Sequence, residues 1–420
     1  MVALEGTFAR MLRATLVCML AALLLPATAL GIDEFPLPGP CPPPAPPPEV
    51  GTCQPAGIAR GIDNNLWFTE ENGNKIGRIT TGGAITEFTG GLTAGAQPAE
   101  IVSGPDGRLW FTESGRNHIG AINPATGAIS EYGTTTAPPD GITVGPDNAL
   151  WFTEFSTGGT SRIGRITTAG TITECPALPS GTGPSDIVRG PDDALWFTES
   201  NPTTGASKIG RITTGCSHSE PTILASGSDP GGITVAGGFL WFSEAGASKI
   251  GRISTAGGAP AEFATGAGPS AIATGADGAL WFTETTAHRI GRMALNGALT
   301  NEFPTPTQPS DPGGIVSGPD GALWFTEFSG NKIGRIATAP PFVPPPAPAP
   351  ASQPKKKKSC KVPKILRKSV KKARKALRRA GCKYKIRGKG KVYSVKPKAG
   401  KRTSGTVRVK CRKRAKSKKR

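Results

Sequence analysis

From about residue 51 to residue 340 the chain runs in short stretches of alternating apolar and polar residues, each cut off by Gly, Pro, Asn or Asp. Between Pro98 and Tyr132 the text reads "PAEIVS", the turn "GPDG", "RLWFTE", the turn "SGRN", "HIGAI", the turn "NPATG", then "AISEY". A period of two broken by turn residues predicts four short strands joined by three tight turns. A helical repeat would need apolar spacings of three and four without those breaks. In "LWFTE" the alternation puts Leu and Phe on one face and Trp on the other, so both faces of the sheet require burial.

The unit recurs. All seven tryptophans, Trp67, Trp110, Trp151, Trp196, Trp241, Trp281 and Trp324, sit in copies of this phrase, separated by 43, 41, 45, 45, 40 and 43 residues. A repeat of about 40–45 residues with strand-like content is the length of a four-stranded propeller blade. The expected fold is therefore all-β, a seven-bladed β-propeller over residues 31–338. The last unit, Pro312 to Ile336, supplies three strands, while "GIDEFP" at 31–36 matches the fourth-strand texts "NEFP" and "AITEF". Ile32 to Phe35 is thus expected to complete blade seven and remove a free sheet edge. A two-residue turn at Gly82 and Gly83 would set Arg78 opposite Glu87, and by the same count Arg335 opposite Glu34, as structural ion pairs.

Composition separates further pieces. Residues 1–29 read as a secretory signal, with Arg10 and Arg13 before the apolar run Leu16 to Leu25 and small residues at Ala27, Thr28 and Ala29. The run is too short for a spanning helix. Secretion places the remaining cysteines in an oxidising compartment, and the expected pairs are Cys41–Cys53, Cys175–Cys216 and Cys360–Cys382, with Cys411 left over. Residues 339–359 form a Pro-rich and basic linker, and 411–420 a basic tail. Of the 50 Lys and Arg residues, 32 fall in 355–420, a stretch without Asp or Glu, whereas residues 51–340 hold 16 basic and 26 acidic residues. The net charge of +20 belongs to one end.

Within that end, Val362, Ile365, Leu366, Val370, Ala373, Leu377 and Ala380 keep helical spacing after Pro363, and "GKVYSVKPKAG" with "GTVRVKC" reads as two strands around a turn. Residues 360–410, through "CKVP", "VPKILRKSVKKARKALRRAG" and "KPKAG…GTVRV", resemble the PASTA domain, a small α+β module of cell-wall-facing kinases and penicillin-binding proteins. The resemblance implies a secreted, envelope-associated protein whose partner is a cell-wall polymer, peptidoglycan or teichoic acid. Positive charge alone would also serve nucleic acid, but export and the presence of only Tyr384 and Tyr393 for stacking argue against it. The protein is expected to be a monomer.

Candidate chemistry centres on acids. Strand order in a blade brings the ends of the "WFTE" strands, carrying Glu70, Glu113, Glu154, Glu199, Glu244, Glu284 and Glu327, to the same rim as the starts of the "PxGI" strands. Seven carboxylates could form a cation site or an electrostatic funnel, although a residue present in every blade more often serves each blade. "GPDGALWFTE", "GNKIGRITT" and "ITEF" over seven blades resemble the virginiamycin B lyase family, the streptogramin lyase propellers. The resemblance implies a Mg²⁺ ion held by acidic residues, which polarises a cyclic depsipeptide, and a histidine that removes a proton so that the ester C–O bond breaks by elimination. Carried onto this chain, it gives Asp311 and Glu327 as metal ligands, while Ser270 and Gly313 occupy the histidine positions. His118, His218 and His288 lie elsewhere in the repeat. With Asp140 and Glu284 as further rim residues for ligand binding, the sequence favours a propeller that holds a small molecule, peptide or protein on its acidic rim. The alternative is a magnesium-dependent C–O lyase acting on streptogramin B.

Overall fold

The structure is a computed structural model, which describes residues 31–39, 53–133, 135–156, 160–179, 183–201, 204–338, 360–403 and 406–412. The expected signal segment, the linker and Cys41 lie outside the described residues. The chain divides into two compact units, up to Phe342 and from Val343.

The first unit is seven four-stranded antiparallel sheets. Six are built from consecutive strands, and the seventh joins Ile32–Pro36 to the outer side of Lys332–Ile336, Leu323–Glu327 and Pro312–Ser317. The closing strand is where the sequence placed it, with Phe35 paired to Ile333.

Every residue of every "LWFTE" strand but the Ser243-containing copy, "LWFSE", is identical, and in all seven these positions are buried. The reason is a relay between blades. Trp67 packs with Leu109 and Phe111 of the next blade, and Trp110 with Leu150 and Phe152. The relay returns to its start, where Trp324 packs with Leu66 and Phe68. The glycine of "IGRI" follows from the same packing. A Cβ on Gly120 would lie 2.1 Å from the Phe111 ring, a separation that no repacking of a rigid ring tolerates.

The acid of the "GPDG" turn and the arginine of "IGRI" also have structural partners. Trp151 Nε1 donates to Asp147 Oδ1 at 2.9 Å, and Arg165 Nε reaches Asp147 Oδ2 at 2.6 Å. Burial alone would raise the Asp147 carboxyl, but these bonds outweigh it and hold the pKa below the usual range.

The ion-pair expectation needs a correction. Arg78 lies opposite Thr86, and Glu87 opposite Gly77. The hairpin loop has three residues rather than two, since Gly83 N bonds back to Thr80 O at 2.9 Å and Gly83 takes the left-handed φ of +88° that glycine favours. The extra residue moves the register by one. Arg78 therefore lies over Trp67 and Phe88, 5.5 Å from each ring centroid. Glu87 is taken instead by Lys75 at 2.7 Å. The same shift gives Arg335 to Asp33 and Asp320, and Glu34 to Lys332.

Disulfides join Cys175 to Cys216 and Cys360 to Cys382. Cys53 is also disulfide-bonded, and Cys411 is free and buried.

Among its described residues the second unit has one helix, Val370–Arg379, capped by Ser369. A three-stranded sheet of Tyr384–Arg387, Val407–Arg412 and Lys391–Lys396 accompanies it. Ala373 and Leu377 of the helix, Val362, Ile365, Val392, Val407 and Val409 share a small core.

Candidate functional site

Each blade opens its first strand with Pro-x-x-Ile, and in each the register slips between that proline and isoleucine. Two residues there face a single Thr or Ser of the second strand, which is a bulge, a device that re-aims side chains. The hydroxyl fixes it. Thr112 Oγ1 accepts from Glu100 N at 3.0 Å and donates to Asp140 O of the next blade at 2.8 Å. Thr326 Oγ1 donates to Ala56 O at 2.7 Å and so ties blade seven to blade one.

The bulged residues wall a cavity of about 620 Å³. Its lining includes Glu71, Glu100, Asp140, Asp186 and Asp311, together with Ser270, Gly313 and several small residues. No histidine is among the lining residues. The acids crowd one another. Glu100 is pushed up to about 8, by burial first and then by Asp186 and Asp140, and Asp186 to about 6, by burial first and Asp140 later. Asp140 and Glu71 are raised for the same leading reason. A positive group in this space would relieve both penalties.

Asp311 and Asp140 line the cavity, and Ser270 and Gly313 stand on the same wall. Glu284 and Glu327 are placed otherwise. Both are fully buried and neither lines the cavity. Glu284 Oε1 accepts from Gly266 N at 3.2 Å, a contact that holds a loop. The other "WFTE" glutamates share this burial, at 0 to 1 % exposure, so the seven do not form an open funnel. Glu71, Glu100 and Asp186 were missed by sequence reasoning; their signal was position, immediately after "WFTE" or inside the bulge, rather than repetition. His288 is also closer than its strand suggested. Its Nδ1 lies 3.2 Å from Asp311 Oδ1 and 3.3 Å from Asp311 N.

The sequence profile of the virginiamycin B lyase family matches residues 51–264 and 258–356. The chain belongs to this family. Among solved structures, a catalytically inactive histidine-to-alanine variant of virginiamycin B lyase from Staphylococcus aureus with quinupristin is 35 % identical, with a TM-score of 0.64, covering 74 % of this chain and 100 % of that one. A streptogramin B lyase structure is 34 % identical, with a TM-score of 0.63, covering 73 % and 97 %. Kuenenia stuttgartiensis hydrazine synthase, at 15 % identity and a TM-score of 0.60, shares the fold alone. The profile of the PASTA domain matches residues 361–410. The comparison with curated proteins found no match.

The buried glutamates predict a pH dependence for this family member. Burial, then repulsion from a fourth-strand glutamate, lifts Glu70, Glu113 and Glu327 to about 8. Their ordinary value is 4.5. Between those limits the unfolded chain releases protons that the fold retains, so folding stability falls as pH rises from about 4.5 to 8. Asp106, Asp147 and Asp192 have lowered values, burial being outweighed by hydrogen bonds, so their contribution is lost as pH falls below the ordinary 3.8. Thermal melts of the propeller should therefore peak near pH 5 and drop by several degrees toward pH 9. Glu70→Gln should flatten the alkaline limb; a melting temperature that rises from pH 5 to pH 9 would contradict this account.

Proposed function

We propose that this protein is a secreted, envelope-associated member of the virginiamycin B lyase family that binds a positively charged or metal-bearing ligand in its axial cavity, without the family's proton abstraction. The observation that carries this reading is the cavity wall, with five carboxylates and, at the two positions where the family resemblance calls for histidine, Ser270 and Gly313. A serine hydroxyl without a base and a glycine cannot accept a proton near neutral pH.

The family resemblance implies magnesium, and the residues fit it in part. Asp311 offers a carboxylate to the cavity. Glu327 is buried with both oxygens unpartnered, as a ligand seen without its ion would be, but Glu70, Glu113, Glu199 and Glu244 share that condition. Of the two expected ligands, Asp311 and Glu327, only Asp311 lines the cavity; Asp311 would hold an ion there, which would polarise a carbonyl as a Lewis acid. Asp140 remains the proposed ligand-binding residue on the opposite blades, and Glu284 supports the loop at Gly266 and Ala267 that leads into blade six. The direct test is whether a streptogramin B incubated with the protein and magnesium is recovered unopened.

One observation favours the lyase alternative, the His288–Asp311 contact. The imidazole Nδ1 accepts from the Asp311 backbone N–H, however, and His288 is not among the residues that line the cavity.

The PASTA domain supports attachment to the envelope. Its helix presents Lys371, Lys375 and Arg378 around an open groove, suited to the phosphates of teichoic acid or the carboxylates of peptidoglycan. Residues 355–420 should sediment with purified cell walls, and part of that binding should persist in salt that screens simple attraction. Complete release at modest salt would reduce the module to a polycation.

A further inference from the structure

Every blade places a buried glutamate near the end of its second strand, directly opposite a residue at the start of the third strand. That residue is Lys75, Arg162, Lys208, Lys249, Arg289 or Lys332 in six blades, and in blade two it is His118. In the six, the permanent cation pairs with the fourth-strand glutamate, for example Lys75 with Glu87 at 2.7 Å and Lys208 with Glu220 at 2.6 Å. Blade two keeps both carboxylates, Glu113 and Glu131, but has no fixed positive charge between them.

The register sets the three side chains on one face. Glu113 lies opposite His118, and Glu131 lies opposite Gly120, two residues further along the same strand. Gly120 leaves the space, since a Cβ there would sit 2.6 Å from Glu113 Oε1. Glu113 is fully buried, and neither of its carboxylate oxygens has a hydrogen-bond partner. His118 Nδ1 is likewise buried and without one, 3.7 Å from Glu113 Oε2. One donor atom from each of Glu113, His118 and Glu131 lies within 4.8 Å of the others.

We propose that Glu113, His118 and Glu131 bind a divalent transition-metal ion, of the zinc class, on the outer strands of blade two. One imidazole and two carboxylates match the donor preference of zinc, at metal–ligand distances of about 2.0–2.2 Å, and the nitrogen donor disfavours magnesium and calcium. Two negative charges balance the ion. Glu131 is held in place by Thr93 N and Thr93 Oγ1, which each donate to it at 2.5 Å, as Thr307 holds Glu34 in blade seven, and ligating carboxylates receive outer support of this kind. His118 is a quarter exposed, which leaves an approach for the ion and room for water as a fourth ligand. The site is separate from the axial cavity, whose lining includes none of the three residues.

Two related clusters lack one requirement each. Around Glu70 and Glu87 the third group is Cys53, which is disulfide-bonded and offers no thiolate. Around Glu199, His218 and Glu220, Lys208 already occupies the charge position at 2.6 Å from Glu220.

The test is calorimetric titration of the mature full-length protein with zinc chloride, comparing wild type with His118→Lys and Glu131→Gln. His118→Lys installs the lysine that four other blades already carry at this position, so the fold is retained. Wild type should take up one more zinc per chain than His118→Lys, and zinc should raise its melting temperature more than that of the variant. Glu131→Gln should weaken the site at least tenfold, and His218→Asn should leave it unchanged. Equal zinc stoichiometry in wild type and His118→Lys, or no uptake by wild type, would overturn the proposal.

Discussion

Removing residues 30–37 should leave a propeller that melts far below the intact protein or aggregates on purification. The segment supplies the fourth strand of blade seven, and its loss exposes the unpaired backbone of Lys332–Ile336, a template for edge-to-edge association. Side-chain losses add to this. Phe35 stacks on Trp324 with ring centroids 5.5 Å apart, and Leu37 is buried in the same core. Burial of such side chains contributes about 1.5–3 kcal/mol each. Glu34 accepts from Thr307 N at 2.7 Å and from Thr307 Oγ1 at 2.6 Å, and it neutralises Lys332. Together these terms are comparable with the roughly 5–15 kcal/mol that stabilises an ordinary domain. Phe35 is half-buried, so Phe35→Ala alone should cost about 1.5–3 kcal/mol. Denaturant melts would measure both, and a truncated chain with the midpoint of the intact protein would remove the closure argument.

The repeat made most of this architecture legible. Seven copies of one phrase fix blade number, strand order and the identity of the buried residues, because each copy must satisfy the same neighbours. The closing strand was readable for the same reason: "DEFP" is fourth-strand text displaced to the front of the chain. What the repeat concealed was the register of the third hairpin, which depends on one left-handed glycine, and the location of the functional acids. Repeated glutamates attract attention in a sequence, yet repetition is a sign of service to each blade, and the structure buries all seven. The acids that line the cavity occur singly, at Glu71, Glu100, Asp140, Asp186 and Asp311, and for Glu100, Asp140 and Asp186 it is the bulge that turns them inward. His118 was overlooked on similar grounds: it reads as a variant of a lysine position until its two glutamates are seen without a cation.

The second large effect concerns chemistry in that cavity. General-base catalysis supplies roughly 10²- to 10⁴-fold in rate, and the positions that would provide it hold Ser270 and Gly313. Ser270→His with Gly313→His should therefore raise any streptogramin-opening rate by at least about 10²-fold, because Asp311 lines the same cavity. The backbone permits the change. Gly313 has no positive φ, and a Cβ there meets Thr326 Oγ1 at 3.0 Å, so a shift of a few tenths of an ångström in that hydroxyl would admit it. Adding Asp311→Asn to the double variant should abolish the gain if Asp311 is a metal ligand.

The measurement that bears most directly on the central claim is incubation of the unmodified mature protein with quinupristin and magnesium, followed by reverse-phase chromatography to separate the cyclic compound from its ring-opened isomer. An elimination consumes no water, so mass alone would not distinguish the two. The account predicts that quinupristin is recovered cyclic at times when the histidine double variant has begun to open it. Multiple-turnover opening by the unmodified protein would contradict the account and would assign the proton acceptor to one of the carboxylates that line the cavity, or to His288 beside Asp311.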